Sequence, residues 1–172
     1  MLGYGDPEQL GLEYYEVLSN WFYIPLMELI ECQSTIAPQS TYAQRLNISE
    51  SEVNNALVIL ERLGLIKKEK KGYSKVNQHQ NIGNNISTQA IRNYHNQMIQ
   101  KSFEALEIVP INERDYSSLT IALDPELIPE IKEEIKQFKD RLKAISNKAK
   151  RQDIYQMNLQ FFNFPKINLE VQ

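Results

Sequence analysis

The sequence predicts an α+β fold in two parts, and three observations carry that expectation. A capped amphipathic stretch, "SESEVNNALVILERLG", follows a shorter helical stretch across the tight turn "LNIS". Two alternating runs, "LIKKE" and "YSKVN", then flank "KKG". Further on come the strand-like "YSSLTIAL", a long helical seam and the alternating "YQMNLQFFNF", in that order. Helix, turn, helix, hairpin is the order of a winged helix-turn-helix. Strand, long helix, strand predicts a smaller α/β (βαβ) domain with a right-handed crossover between parallel strands.

A chain of 172 residues suits one large domain or two small ones. The predicted boundaries are a lead-in with a possible strand over 1–18, the winged helix-turn-helix over 19–77 and a polar linker over 78–86. A helix followed by the βαβ domain, for dimerisation or sensing, fills 87–172. No apolar run approaches the ~20 residues that cross a bilayer, and no secretory signal is visible, so no membrane partner is expected. Cys32 is the only cysteine, which rules out an internal disulfide and fits a reducing cytoplasm. The net charge of -3 argues against a protein that coats nucleic acid generally, so any DNA contact must use a local basic patch.

Taken in order, residues 1–11 are a glycine-rich lead-in, and "LEYYEVL" at 12–18 is compatible with either strand or helix. From Ser19 to Cys32 the spacing of Trp21, Phe22, Leu26, Leu29 and Ile30 is helical, with Pro25 tolerable near a first turn. Ser40 or Thr41 caps a short helix ending near Leu46. Ser49 caps the next one, and Glu52 three positions on completes a capping box. Gly64 supplies the left-handed C-terminal cap.

On that second helix Val53, Ala56, Leu57, Leu60 and Leu63 share one side, a core stripe. Ser51, Asn54, Asn55, Val58 and Arg62 share the opposite side, which bears amides and no acid. Glu50, Glu52 and Glu61 lie toward the flanks. In a winged fold this helix, residues 50–63, enters the major groove, where Asn pairs with adenine and Arg with guanine. The hairpin carries Lys67, Lys68, Lys70, Lys71, Tyr73 and Lys75. Its lysines are read as phosphate contacts because of the helix-turn-helix before them, ahead of the alternative that they protect an exposed strand edge.

Beyond the Asn- and Gln-rich linker, a helix from about Ser87 to Glu107 carries Ile91, Tyr94, Met98 and Leu106 near one face. Asp124-Pro125 opens a further helix whose Ile128, Ile131, Ile135, Phe138, Leu142 and Ile145 form a narrow seam of coiled-coil-like period. That seam is read as internal packing against the βαβ sheet in preference to an intermolecular coiled coil. Two strands alone make a poor sheet, so residues 12–18 or a second copy must complete it. A homodimer is therefore expected.

Four segments, "YYEVLSNWFYIPLMELI", "IRNYHNQM", "ERDYSSLTIAL" and "YQMNLQFF", together resemble an uncharacterised bacterial winged-helix family. Its members are conserved hypothetical proteins with a C-terminal domain of unknown function, presumed to regulate transcription. The resemblance spans nearly the whole chain and marks Trp21, Arg92, His95, Met98, Ser118 and Thr120 as characteristic. Members commonly have "REL" where Met27 stands in "LMEL". They also carry a further N-terminal helical region absent here, so this chain is expected to be a short member or a piece of a longer one.

The remaining chemistry-bearing residues form no recognisable centre. His79 and His95 lie on different elements, and no spacing suits a metal, so none is expected. No phosphate loop, nucleophile elbow or triad pattern appears, so neither enzyme activity nor a cofactor is expected. His95 is read as a hydrogen-bonded packing histidine, with pH or ligand sensing between the two halves as the alternative, and Arg92 is an effector or interdomain candidate beside it. Ser118 and Thr120, near Asp124, lie where α/β units often bind ligands. These four are the candidates for an unknown effector. The expectation is thus a cytoplasmic, dimeric transcriptional regulator whose partner is double-stranded DNA. Its competitor is a winged-helix module that binds protein and not DNA.

Overall fold

A computed structural model describes residues 7–32, 37–70, 72–76, 88–148 and 150–164. Its helices are α1 (Pro7–Ser19), α2 (Tyr23–Cys32), α3 (Gln39–Leu46), α4 (Glu50–Arg62), α5 (Thr88–Ile108) and α6 (Ile128–Ser146). Strands β1 (Ile66–Glu69) and β2 (Gly72–Lys75) form one antiparallel pair. The molecule is thus a helix-dominated α+β fold with a single small sheet among the described residues.

The ambiguous segment 12–18 is helix, not strand. Glu13 and Val17, one turn apart, are both buried, a spacing that places them on one helical face. The helix expected from Ser19 to Cys32 begins only at Tyr23, because α1 ends at Ser19. There the Ser19 hydroxyl donates to Tyr15 O at 2.6 Å and the Asn20 amide side chain donates to Glu16 O at 2.9 Å. Pro25 falls in the first turn of α2, where its missing N–H costs nothing. Neither Ser40 nor Thr41 caps α3; Pro38 occupies that position and offers no side-chain acceptor.

At Ser49 the capping box forms as expected, and Gly64 takes a left-handed φ of 69° just past α4. Asn47, at φ 51°, makes the turn between α3 and α4, a role its short polar side chain tolerates. All five residues of the predicted α4 stripe are buried, with Ile59 beside them. They pack with Tyr23, Leu26, Leu29 and Ile30 of α2, Tyr42, Ala43 and Leu46 of α3, and Ile66 of β1. Each fully buried aliphatic side chain contributes about 1.5–3 kcal/mol.

Helix α5 packs against α1, with Ala90 and Met98 buried along it. Gln97 bridges the break between α1 and α2, accepting from Trp21 N–H at 3.3 Å and donating to Ser19 O at 2.5 Å. Lys101 lies 4.7 Å from the Trp21 ring centre. After α6 the chain returns to the core. Arg151 pairs with Glu31, Asp153 pairs with Arg45, and Ile154 packs on the buried cluster.

Among the described residues the expected βαβ unit is not formed. Residues 116–123 and 155–164 contain no strand, and none of residues 114–123 or 150–164 makes a backbone–backbone hydrogen bond with another described residue. Side chains anchor each segment to α5 instead. The Tyr116 hydroxyl donates to Ser102 O, and the Asn158 amide donates to Met98 O at 2.8 Å. The linker expected over 78–86 lies outside the described residues.

Candidate nucleic-acid interface

Helix α4 is aimed by its two ends. At its start Glu52 N–H donates to Ser49 Oγ at 3.2 Å. Ser49 N–H and Oγ donate back to the Glu52 carboxylate at 2.8 and 2.7 Å. The Ser49 hydroxyl and then its backbone N–H hold the Glu52 carboxyl below the usual carboxylate range. One of the flanking acids is thereby committed to the helix's own N-terminus, where negative charge is favoured.

Burial of the core stripe leaves the opposite face of α4 outward. Ser51, Asn54, Asn55 and Arg62 are all exposed there, with Val58 at 52% exposure between them. The structure therefore brings the four predicted residues onto one surface. It also brings two carboxylates against that surface from α1. The Asn55 side chain donates to Glu16 Oε1 at 3.1 Å, and Arg62 is ion-paired with the buried Glu13. The Tyr23 hydroxyl holds Glu16 in place, donating to the same oxygen at 2.5 Å. Burial and the hydrogen bond to Glu16 push the Tyr23 hydroxyl's pKa well up, so it remains a donor. Glu16, Asn20, Ser51, Glu52 and Asn55 line a shallow recess of about 380 Å³ between α1 and α4.

The hairpin divides its lysines. In the ladder Lys67 faces Ser74 and Lys68 faces Tyr73. Lys67 pairs with Glu69 at 2.8 Å, and Ser74 Oγ donates to the same carboxylate at 3.0 Å. Lys67 first, and Ser74 after it, keep the Glu69 carboxyl below its ordinary range. Lys75 pairs with Glu28 of α2, and Tyr73 packs against the core, so both of these predicted contacts serve the fold. Lys68 and Lys70 are exposed and have no ion pair with a described residue. Lys71 lies outside the described residues.

Arg92, His95, Ser118 and Thr120 are exposed. The first two are on α5, where the His95 ring lies edge-on to Tyr94 at 5.8 Å. The other two are on the unpaired segment 116–123. None of the four lines the groove between α5 and the C-terminal segment. Trp21 and Met98 have a packing role: Trp21 at the junction of α1, α2 and α5, and Met98 buried on α5. His79 lies outside the described residues.

The residues that sequence reasoning missed are Glu13, Glu16 and Glu28. Glu13 and Glu16 are three apart, so a helical reading of 12–18 would have put them on one face. Cys32 is partly buried, and burial, then the Asp153 charge, pushes its thiol up, away from the thiolate that makes a cysteine reactive. Among the described residues no group of three or more His, Cys, Asp or Glu could hold a metal. No helix among them is long and apolar enough to cross a membrane.

A family model matches residues 4–164. The chain belongs to DUF4423, a domain of unknown function. No curated protein and no solved structure matches it. The DUF4423 match runs from the lead-in before α1 to the end of the described C-terminal segment, so one family unit contains both the α4 surface and the unpaired half. The match agrees with the expectation of an uncharacterised family, and it carries neither the winged-helix nor the regulator part of that expectation. Its description assigns no activity, and the functional reading must come from the residues.

Proposed function

We propose that this DUF4423 chain is a DNA-binding transcriptional regulator of winged helix-turn-helix type, acting as a dimer in the cytoplasm. The observation that supports it is the outward face of α4, which presents Ser51, Asn54 and Val58 without an acid among them and is followed directly by the hairpin bearing Lys68 and Lys70. In this reading α4 enters the major groove and Asn54 reads a base edge. The two lysines hold the adjacent phosphates and set the register. Asn55 and Arg62 join only when Glu16 and Glu13 let go, so α1 acts as a built-in competitor for the same cations and amides.

The test is capture of bound fragments from a pool of genomic DNA, followed by anisotropy titration of the recovered sequence at several salt concentrations. Recovery of a shared sequence, bound with a salt-dependent affinity, supports the reading. Absence of binding at low salt overturns it.

One observation favours a second reading. Glu13 and Glu16 lie against the α4 face, and a surface with acids at its margin suits a protein partner carrying basic residues better than it suits a polyanion. A partner that binds the α4 face more tightly at low salt, with no DNA recovered, would select this alternative.

A further inference from the structure

Every described residue from 99 to 164 is at least partly exposed, although this stretch contains a 19-residue helix and two alternating segments. Phe103, Leu119, Ile145, Tyr155, Phe162 and Phe164 are between 62% and 83% exposed. Judged by residue size, these six side chains alone present more than the roughly 800 Å² that each partner of a standard interface buries. Lone monomers rarely leave such surface uncovered. The backbone adds a second deficit. Residues 116–123 and 155–164 make no ladder hydrogen bond with another described residue, and an unpaired, alternating segment is a template for another strand.

We propose that these two segments pair with those of a second copy of this chain, completing a sheet across a two-fold axis, with the apolar seam of α6 and the exposed end of α5 covered in the same interface. Three features favour a second copy over an unrelated protein. Each chain brings two strand-like segments, too few for an independent sheet, and two copies bring four. A two-fold contact lets each copy supply what the other lacks, because the same patch is used on both sides. Charge does not oppose self-association: α6 carries four acidic and five basic residues, so two such helices meet with nearly balanced charge. Even-numbered residues Asn158, Gln160 and Phe162 turn toward α5, where Gln160 and Phe162 line a groove of about 360 Å³ with Ile99, Phe103 and Tyr116. A side chain from the partner copy fills that groove. The inference supplies the symmetry that the regulator reading uses, but it does not need DNA to be bound.

The experiment has two arms on the full chain. Sedimentation equilibrium at micromolar concentration should give twice the chain mass of 20.1 kDa. Leu119→Lys and Tyr155→Lys, at positions 82% and 83% exposed in the single chain, should leave helix content unchanged and weaken the dimer by at least about tenfold each. Hydrogen exchange on the unmodified protein is the second arm, and it does not depend on the variants folding. Amides within 117–122 and 156–162 should be protected, and should lose protection on dilution. A monomer with rapidly exchanging amides there, or a dimer indifferent to both substitutions, overturns the proposal. DNA binding is scored separately, so a dimer that ignores DNA fails the regulator reading alone.

Discussion

The Arg62 guanidinium at the end of α4 is ion-paired with the carboxylate of Glu13 on α1, and Glu13 is buried while Arg62 remains 46% exposed. One cation therefore serves two masters. It neutralises a carboxylate that has lost most of its water, and it stands on the surface that the regulator proposal sets in a DNA groove. Replacing Arg62 by Ala removes a cation from beside the buried Glu13 carboxylate. The expected cost is about 1–3 kcal/mol, less than for a fully buried pair because Arg62 keeps solvent. Denaturant unfolding of Arg62→Ala against the parent measures it.

The same relationship makes an opposite prediction for binding. Glu13→Gln combined with Glu16→Gln removes two negative charges beside Asn55 and Arg62 while keeping side chains of the same size. DNA affinity should rise by about tenfold, the worth of one recovered base or phosphate contact. Anisotropy titration of the double variant reads the change. An unchanged or weaker affinity would show that α1 does not compete for the α4 face.

The hairpin lysines should differ in weight. Changing Lys67, Lys68, Lys70 and Lys71 to Glu together should abolish DNA binding in a gel-shift titration. Neutral replacements made one at a time should flatten the salt dependence, by roughly one unit of slope for each phosphate no longer held. Lys68 and Lys70 should account for more of that flattening than Lys67, whose ammonium already faces Glu69 at 2.8 Å. Lys75→Ala should act on stability, because its partner is Glu28.

The capping box gives a pH-dependent test. Ser49→Ala should cost about 1 kcal/mol at neutral pH. Because the folded protein lowers the Glu52 pKa, the box's contribution is present in full above the unfolded value of roughly 4.3. It is lost as pH falls through the lower, folded value. Thermal unfolding of the parent and of Ser49→Ala should therefore differ more at pH 7 than after acidification, where only the Glu52 N–H to Ser49 Oγ bond of the box remains.

Leu60 on α4 is fully buried, and Leu60→Ala should destabilise by about 2–5 kcal/mol through lost transfer energy and the cavity left behind. Val58→Ala, on the outward face of the same helix, should cost little in stability. Calorimetry of the pair separates the core face of α4 from its outward face.

Local chemistry was legible in the residues alone. Ser49 and Glu52 at the right spacing announce a helix start, Gly64 its end, and the stripe from Val53 to Leu63 its buried side. Each involves neighbours within a turn or two, and all three appear as predicted. The alternation around Lys70–Gly72 likewise pointed to the hairpin. What only the tertiary structure decided is how distant pieces meet. Asn55 meets Glu16 across 39 positions and Arg62 meets Glu13 across 49, and no periodicity encodes a contact of that range. The alternating segments at 116–123 and 155–164 show the same divide. Alternation says which side of a strand is apolar, but a strand's backbone hydrogen bonds must be met by another segment, and side-chain pattern does not say where that segment comes from.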